Sequence, residues 1–190
     1  MGLLINAVPD DARGFVTEVA RPCLEERGIP VLGVLPRREE LQAISVGELA
    51  QVLRAQFLVL PEKTDVLIQN LVVGAMSIDQ ALPRMRRIPA PKAVITGGDR
   101  TDIQLAALET ATACLILTGH LRPQAEVLRR AEEAGVPVLL VRENTLEAVE
   151  AIERVFGKTR LGQPEKLEKF EALMAEYFDF ERLYKGMGLE

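Results

Sequence analysis

The fold of this chain is indicated most clearly by residues 93–108, which read AVITGGDRTDIQLAAL. The first residues form a short apolar run, which is typical of a buried parallel strand. A glycine pair and a polar group interrupt the run, and apolar residues then return at helical spacing. We therefore predict a strand over residues 93–96, a tight turn at Gly97-Gly98 and a helix over residues 102–110.

The same alternation of strand and helix continues on both sides of this stretch. We predict further strands over residues 57–60, 114–118 and 138–141, and another over residues 66–75, where the pattern is also compatible with a helix. Further helices are predicted over residues 46–53, from 78 onward, 124–134 and 146–156. Strands that alternate with helices form a mostly parallel sheet with helices on both faces. The predicted fold class is α/β.

The two ends of the chain are predicted to flank this sheet. Residues 3–8 and 31–35 have the pattern of buried strands, with helical spacing between them, which together form a β-α-β unit. Residues 163–185 predict an amphipathic helical tail that packs on the sheet or on a partner. The predicted division is a β-α-β segment at 1–40, an α/β domain at 41–157 and a helical tail at 158–190.

Composition argues against several kinds of function. The net charge is −5, aromatic residues make up 4%, and the basic residues are scattered, so we expect no nucleic-acid binding. No apolar stretch approaches the roughly 20 residues of a membrane helix, and the start of the chain lacks a signal-peptide pattern. The two cysteines, Cys23 and Cys114, have no neighbouring candidate ligands. We expect a cytoplasmic protein without a membrane segment, metal or cofactor.

Four polar loops are predicted to meet at the carboxyl edge of the sheet, at residues 74–77, 96–102, 118–120 and 142–145. Ligands of open parallel sheets bind beyond this edge, because neighbouring loops and helix N-termini meet there. The candidate ligand-binding residues are Ser77, Thr96, Gly97, Gly98, Asp99, Arg100, Thr101, Asp102, Thr118, Gly119 and His120.

The loop at residues 96–102 permits two interpretations. The glycines leave backbone amides free for an anion, and Arg100 presents a guanidinium fork to a carboxylate or phosphate. Alternatively, Asp99 or Thr101 caps the helix and Arg100 pairs with a neighbouring acid. The loop alone leaves both interpretations open, although Thr118-Gly119-His120 at the next strand end favours a shared pocket.

The sequence does not predict a complete catalytic site. His120 is the only histidine, and no nucleophile or carboxylate is placed by the sequence to act with it, which favours a role in a turn or at a pocket rim. Neither the phosphate-loop pattern nor the dinucleotide-binding glycine pattern occurs. We therefore expect a chain that does not catalyse a reaction by itself.

The motif Gly98-Asp99-Arg100, followed in order by Thr118-Gly119, closely resembles the DRTGG domain, and the resemblance covers about residues 41–157. DRTGG domains occur in the N-terminal regulatory part of long phosphotransacetylases, beside CBS domains, and as stand-alone chains. The resemblance implies a Rossmann-like fold and a regulatory role. If the last glycine of the family pattern falls at position 120, His120 is a departure from it.

Residues 2–36 are similar to the closing β-α-β part of a dethiobiotin-synthetase-like P-loop domain. Asn6 matches an asparagine that reads the nucleotide base in such enzymes, and Pro36 lies on the loop near it. The phosphate loop is missing, so nucleotide hydrolysis is not implied. The segment is then either the product of truncation or a natural remnant.

Three functional hypotheses follow. The preferred one is a homodimeric regulatory module that binds a small anionic metabolite or a nucleotide, with a phosphotransacetylase-type enzyme as a partner. The second is a subunit or fragment of a phosphotransacetylase or of an ATP-dependent amidoligase-like enzyme, which needs a missing domain. The third is a structural oligomerisation unit.

Overall fold

A computed structural model describes residues 2–156 and 164–189. The described residues form two compact units, one reaching from the start of the chain to Leu41 and including the C-terminal helices, the other beginning at Gln42. The predicted division into three segments stays a prediction. The helices and strands, in chain order, are β1 (Leu3–Val8), α1 (Arg13–Phe15), α2 (Arg21–Glu26), β2 (Val31–Pro36), α3 (Glu39–Gln42), β3 (Ile44–Ser45), α4 (Val46–Val52), β4 (Gln56–Val59), β5 (Leu67–Ile68), β6 (Asn70–Val73), α5 (Ile78–Arg87), β7 (Lys92–Gly97), α6 (Thr101–Leu108), β8 (Thr112–Thr118), α7 (Ala125–Glu133), β9 (Val138–Leu140), α8 (Thr145–Glu153), α9 (Pro164–Tyr177) and α10 (Phe180–Gly186).

The second unit is built on a five-stranded sheet with the strand order β4-β9-β8-β7-β6. Strands β6 to β9 are mutually parallel, and β4 is an antiparallel edge strand. In parallel strands joined by helices, the carboxyl ends all lie at the same edge. The predicted mostly parallel α/β fold is therefore confirmed.

Side chains of the central strands alternate between the two faces of this sheet. Ile95 and Ile116 pack with α4 and α8 on one face. Val94 and Leu115 pack with α5, α6 and α7 on the other face. This alternation follows from the period of two in a strand, and it confirms the prediction of helices on both faces.

Helix α4 begins at a capping box formed by Ser45 and Glu48. The amide of Glu48 donates to the Ser45 hydroxyl at 3.1 Å, and the amide of Ser45 donates to the Glu48 carboxylate at 2.9 Å. The two contacts satisfy amides that lack acceptors within the helix.

The strand predicted over residues 66–75 is divided between two sheets. Strand β5 pairs antiparallel with β3, whereas β6 joins the five-stranded sheet. Between them, the amides of Gln69 and Asn70 both donate to the carbonyl of Pro91, at 2.9 and 3.2 Å. The prediction of one continuous strand was wrong because the chain changes its partner strand here.

In the first unit, β1 and β2 form a parallel pair, as the predicted β-α-β unit requires. The helical segment between them contains a π-turn at Val16–Ala20. The prediction that β1 is buried was wrong, since Leu3 and Leu4 are 39% and 37% exposed. Strand β1 is the outer strand of a two-stranded sheet, with no further strand beside it in the described part of this unit.

The C-terminal tail consists of two helices instead of one, and the predicted first residue of the tail, Gln163, lies outside the described residues. Asp179 separates α9 from α10, and its carboxylate accepts the Arg182 amide at 2.8 Å as an N-cap. The amide of Asp179 donates to the carbonyl of Leu32 in β2 at 2.7 Å. The tail therefore packs on the two-stranded sheet of its own unit.

Candidate functional site

Two buried threonines connect the loops at the carboxyl edge of the five-stranded sheet. Thr96 ends the run of buried residues in β7, and its hydroxyl donates to the carbonyl of Gly74, after β6, at 3.0 Å. Thr118 ends β8, and its hydroxyl lies 3.2 Å from the carbonyl of Thr96 and 2.8 Å from the hydroxyl of Thr145. These contacts link all four loops that the sequence predicts to meet.

Several amides at this edge form hydrogen bonds instead of being free for an anion. The bonds run from Gly98 to the carbonyl of Thr118 at 3.2 Å, from Gly119 to that of Glu143 at 2.8 Å, and from His120 to that of Val141 at 2.9 Å. The expectation of free amides in the loop at residues 96–102 was wrong at Gly98. The loops after neighbouring strands run side by side, so each amide faces a backbone carbonyl.

The turn after β8 has a left-handed backbone at two successive residues. Gly119 has φ 77° and His120 has φ 56°, a region that glycine enters without steric cost and that other residues adopt uncommonly. The side chain of His120 is exposed. This arrangement fits the turn role expected for His120, and residue 120 keeps a conformation that suits glycine.

Arg100 forms a two-pronged ion pair with Asp102. Its Nε lies 3.0 Å from Asp102 Oδ1 and its Nη2 lies 2.9 Å from Oδ2, while Nη2 also donates to the carbonyl of Met76 at 3.1 Å. The hydrogen bond between the two side chains raises the pKa of Arg100 and lowers that of Asp102. The pairing of Arg100 with a neighbouring acid is thus present, and the pair is held beside the loop after β6.

Helix α6 begins without a side-chain cap. Arg100 occupies the N-cap position, and its side chain makes no cap hydrogen bond there. The expected capping by Asp99 or Thr101 was wrong, because Asp99 is exposed and Thr101 is already the first helical residue. The first-turn amides of a helix have no acceptor within the helix, so this end of α6 carries the positive end of the helix dipole.

Gln104 is a buried polar residue of this edge that the sequence analysis missed. Its side chain is fully buried, and Nε2 donates to the carbonyl of Gly97 at 2.8 Å. Its Oε1 has no hydrogen-bond partner. Ala107 and Leu108 lie three and four residues further along α6, on the same helical face. A glutamine within this apolar stripe is the sequence signal that could have identified Gln104.

A second buried oxygen without a partner belongs to the loop after β9. Glu143 Oε2 and Gln104 Oε1 are the only such side-chain atoms in the described part of the chain. A buried acceptor without a donor costs about 1–3 kcal/mol, so each one requires an explanation. We call the following residues the edge cluster: Thr96, Gly97, Gly98, Arg100, Asp102, Gln104, Thr118, Gly119, Glu143 and Thr145.

Four predicted site residues lie outside the edge cluster. Ser77 occupies the N-cap position of α5 without a side-chain cap bond, and it is exposed. Asp99 is exposed and Thr101 is half-buried at the start of α6. His120 belongs to the adjoining turn through its backbone alone.

The described residues show neither a metal-ligand cluster nor a membrane-spanning helix. Across residues 2–156 and 164–189, no three His, Cys, Asp or Glu side chains are grouped so that they could hold a metal ion. Within those same residues, no helix combines the length and the apolar character needed to cross a bilayer.

The parallel sheet and its polar carboxyl edge define a Rossmann-like α/β domain. A family model described as the DRTGG domain matches residues 48–155, within the 41–157 range of the predicted resemblance. The chain therefore belongs to the DRTGG domain family.

The chain is also similar to phosphate acetyltransferases of known sequence. It is 28% identical over 160 residues to that of Nitratidesulfovibrio vulgaris (strain Hildenborough), covering 79% of this chain and 22% of the relative. It is 25% identical over 200 residues to that of Pseudomonas putida (strain KT2440), covering 99% of this chain and 28% of the relative. The chain thus spans less than a third of the length of these relatives.

A similar fold occurs in a crystal structure of the CBS and DRTGG domains of the regulatory region of a Clostridium perfringens pyrophosphatase. The TM-score is 0.53 at 18% sequence identity, and the likeness covers 92% of this chain and 86% of that one. At this identity, the likeness concerns the fold alone.

Proposed function

We propose that this chain is a regulatory module that binds a small anionic metabolite or a nucleotide at the edge cluster. The observation that carries the proposal is the unpaired Gln104 Oε1, buried beside the turn of Gly97 and Gly98. A ligand hydroxyl or amino group would supply the donor that this oxygen lacks. Because this oxygen is buried, neighbouring groups must move before a ligand can reach it, and this movement is part of the proposed binding.

The charges at this edge support an anionic ligand. The positive end of the α6 dipole and the Arg100 guanidinium lie together at the start of one helix, and an anion is stabilised at such a position. Asp102 holds Arg100 in the ligand-free arrangement. An anion of higher charge would compete with this carboxylate, and that exchange offers a simple way to couple binding to a change in the loops.

Nucleotides are the first ligand class to test. The crystal structure of the C. perfringens regulatory region is of a complex with an activator, diadenosine tetraphosphate. That molecule combines phosphates, which suit a guanidinium, with ribose hydroxyls and adenine amines, which are donors. In the proposed site, Arg100 would bind the phosphates, and Gln104 Oε1 would accept a hydrogen bond from a hydroxyl or amino group.

We further propose that the module acts as a cytoplasmic homodimer and that its target is a phosphotransacetylase-type enzyme. The similarity to phosphate acetyltransferases extends over 99% of this chain, so the relatives contain a comparable region within a much longer polypeptide. One alternative is a subunit or fragment of a phosphotransacetylase or of an ATP-dependent amidoligase-like enzyme that needs a missing domain. A second alternative is a structural oligomerisation unit.

The binding proposal is tested by thermal shift and calorimetry with diadenosine tetraphosphate, ATP, acetyl-CoA and tripolyphosphate. A ligand present at 100 times its Kd adds about 2.7 kcal/mol to the free energy of unfolding, which raises Tm by several degrees. We expect Arg100→Ala to abolish most of this shift.

Arg129→Ala is the matched control for the binding experiment. Arg129 also forms an exposed ion pair, at 2.6 Å with Glu133, but on α7 away from the edge cluster. An equal loss of binding in both variants, or no shift with any of the four probes, contradicts the proposed site. Formation of acetyl phosphate from acetyl-CoA and phosphate by the isolated chain would favour the enzymatic alternative.

A further inference from the structure

One helical face of the first unit exposes apolar side chains in a single row. Phe15, Val19 and Cys23 follow each other at intervals of four residues, and all three are exposed, Phe15 to 64% and Val19 to 52%. Asp11 lies four residues before Phe15, Arg27 lies four residues after Cys23, and both are exposed. We call these five residues the crossover row, since they lie on the segment that connects β1 to β2.

The π-turn keeps the crossover row aligned. In an α-helix of 3.6 residues per turn, residues four apart drift steadily around the axis, and a π-turn, which takes more residues per turn, reverses that drift. The neighbouring residues one position further on, Ala12, Val16, Ala20 and Leu24, are all half-buried. A period of four therefore separates the exposed row from the packed row through residues 15–24, and Asp11 and Ala12 belong to the 3-10 turn that precedes this helical segment.

The charges of the crossover row are complementary to those of its own copy. Neither Asp11 nor Arg27 has an ion-pair partner among the described residues. If a second copy lies antiparallel about a two-fold axis at Val19, Asp11 of each copy faces Arg27 of the other. Phe15 then faces Cys23, and Val19 faces Val19, as an isologous contact requires.

We infer that the crossover row is the contact surface for a second copy of this chain, packed antiparallel about a two-fold axis at Val19. The crossover row has an apolar centre and opposite charges at its two ends, so it is complementary to itself. This favours a second copy of the chain over an unrelated protein as the binding partner. Leu3, Leu4 and Ile29 add exposed apolar surface to the same unit. The inference rests on the homodimer proposed above and is independent of ligand binding.

Disulfide trapping tests the pairing and its register. Packed helices lie 8–10 Å apart, which brings facing residues within the Cα distance that a disulfide allows. We expect Val19→Cys in a Cys23→Ala background to form a disulfide-linked dimer on mild oxidation. Phe15→Cys should form one only while Cys23 is present. The wild type should not form one, because its two Cys23 residues are displaced by roughly 12 Å along the helices.

Sedimentation equilibrium measures the strength of the contact. We expect Val19→Glu to raise the dimer dissociation constant at least about tenfold, since it buries two like charges at the axis. Thr17→Glu, exposed on another side of the same segment, is the control and should leave the constant unchanged. Asp11→Arg and Arg27→Asp should each weaken the dimer, and the double variant should recover most of the loss.

The possible outcomes distinguish a failure of the proposed contact surface from a failure of the proposed homodimer. A wild type that stays monomeric across the micromolar range overturns both the homodimer and this surface. A dimer that Val19→Glu does not weaken, and that forms no disulfide in the Val19→Cys variant, overturns the surface while the homodimer stands.

Discussion

The backbone of Gly98 is packed directly against the carbonyl group of Leu121. A Cβ built at position 98 would overlap that carbonyl oxygen and lie 2.8 Å from the Leu121 Cβ. Glycine is thus required at this position by close approach. At Gly119 the reason is different, because φ is 77° and the nearest atom to a built Cβ is 3.8 Å away. Gly98 and Gly119 therefore serve separate purposes.

Replacement of Gly98 by alanine is expected to be far more destabilising than the same change at Gly97. At Gly97 a Cβ would meet only the carboxylate oxygen of Asp99, at 2.5 Å, and that side chain can move. Overpacking against a fixed backbone costs about 1–3 kcal/mol or more. We expect Gly98→Ala to lower the free energy of unfolding in urea by at least about 2 kcal/mol, and Gly97→Ala by less than about 1 kcal/mol. Equal losses in the two variants would contradict the packing against Leu121.

Thr118→Val removes a buried hydroxyl that joins two loops. It eliminates the hydrogen bonds to the carbonyl of Thr96 and the hydroxyl of Thr145. We expect a loss of about 1–3 kcal/mol in the free energy of unfolding. A double-mutant cycle with Thr145→Val should show a coupling of about 1 kcal/mol. Thr101→Val is the control, and a change there as large as in Thr118→Val would argue against a specific bridge.

The strands and helices of the second unit could be predicted largely from the sequence. The pattern at residues 93–108 has a continuous apolar run and then helical spacing, and the observed β7 and α6 begin within one residue of the predicted bounds. The division between β5 and β6 was missed, although the polar pair Gln69-Asn70 interrupts the apolar run there. The interruption is a local signal, but the change of partner strand depends on the tertiary structure.

The candidate site was predictable in position but not in its hydrogen bonds. The topology of a parallel sheet brings the loops after β6, β7, β8 and β9 to one edge, and Thr96 and Thr118 mark it in the sequence. Whether the amide of Gly98 is free depends on which carbonyl lies opposite it in the next loop. That pairing depends on which loops lie side by side in the folded sheet, which is a property of the tertiary structure.

The pair of Arg100 and Asp102 predicts how stability depends on pH. The hydrogen bond from Arg100 holds the pKa of Asp102 below its ordinary value of 3.8, so the pair stabilises the folded state fully above that value. This contribution is lost as the pH falls through the lowered pKa of the folded state. We expect Asp102→Asn to flatten the pH dependence of urea stability below about pH 4, measured beside the wild type. In Arg100→Ala, NMR titration should show the pKa of Asp102 returning toward 3.8.

The two cysteines are expected to differ sharply in reactivity. Cys23 is exposed and Cys114 is fully buried in β8, where burial raises the pKa of its thiol. Since the thiolate is the reactive form, a thiol reagent should titrate one cysteine in the folded monomer and the second only in denaturant. Cys23→Ala should show no reaction until unfolding. Two thiols that react at similar rates under native conditions would contradict the burial of Cys114.

Gln104→Met separates a structural role of Gln104 from a binding role. The change removes the hydrogen bond to Gly97, at a cost of about 1 kcal/mol, and also removes an unpaired buried oxygen, whose burial costs about 1–3 kcal/mol. These effects oppose each other, so the free energy of unfolding should change by less than about 1 kcal/mol.

If Gln104 Oε1 accepts a hydrogen bond from a ligand, Gln104→Met should weaken the binding of ATP or diadenosine tetraphosphate about tenfold in calorimetry, equivalent to about 1.4 kcal/mol. Gln80→Met, at an exposed position of α5, is the matched control and should bind as the wild type does. Tripolyphosphate lacks ribose and base donors, so its affinity should be the same for the wild type and Gln104→Met. Wild-type nucleotide affinity in Gln104→Met would show that the buried oxygen does not take part in binding, because a lost acceptor must weaken any complex that uses it.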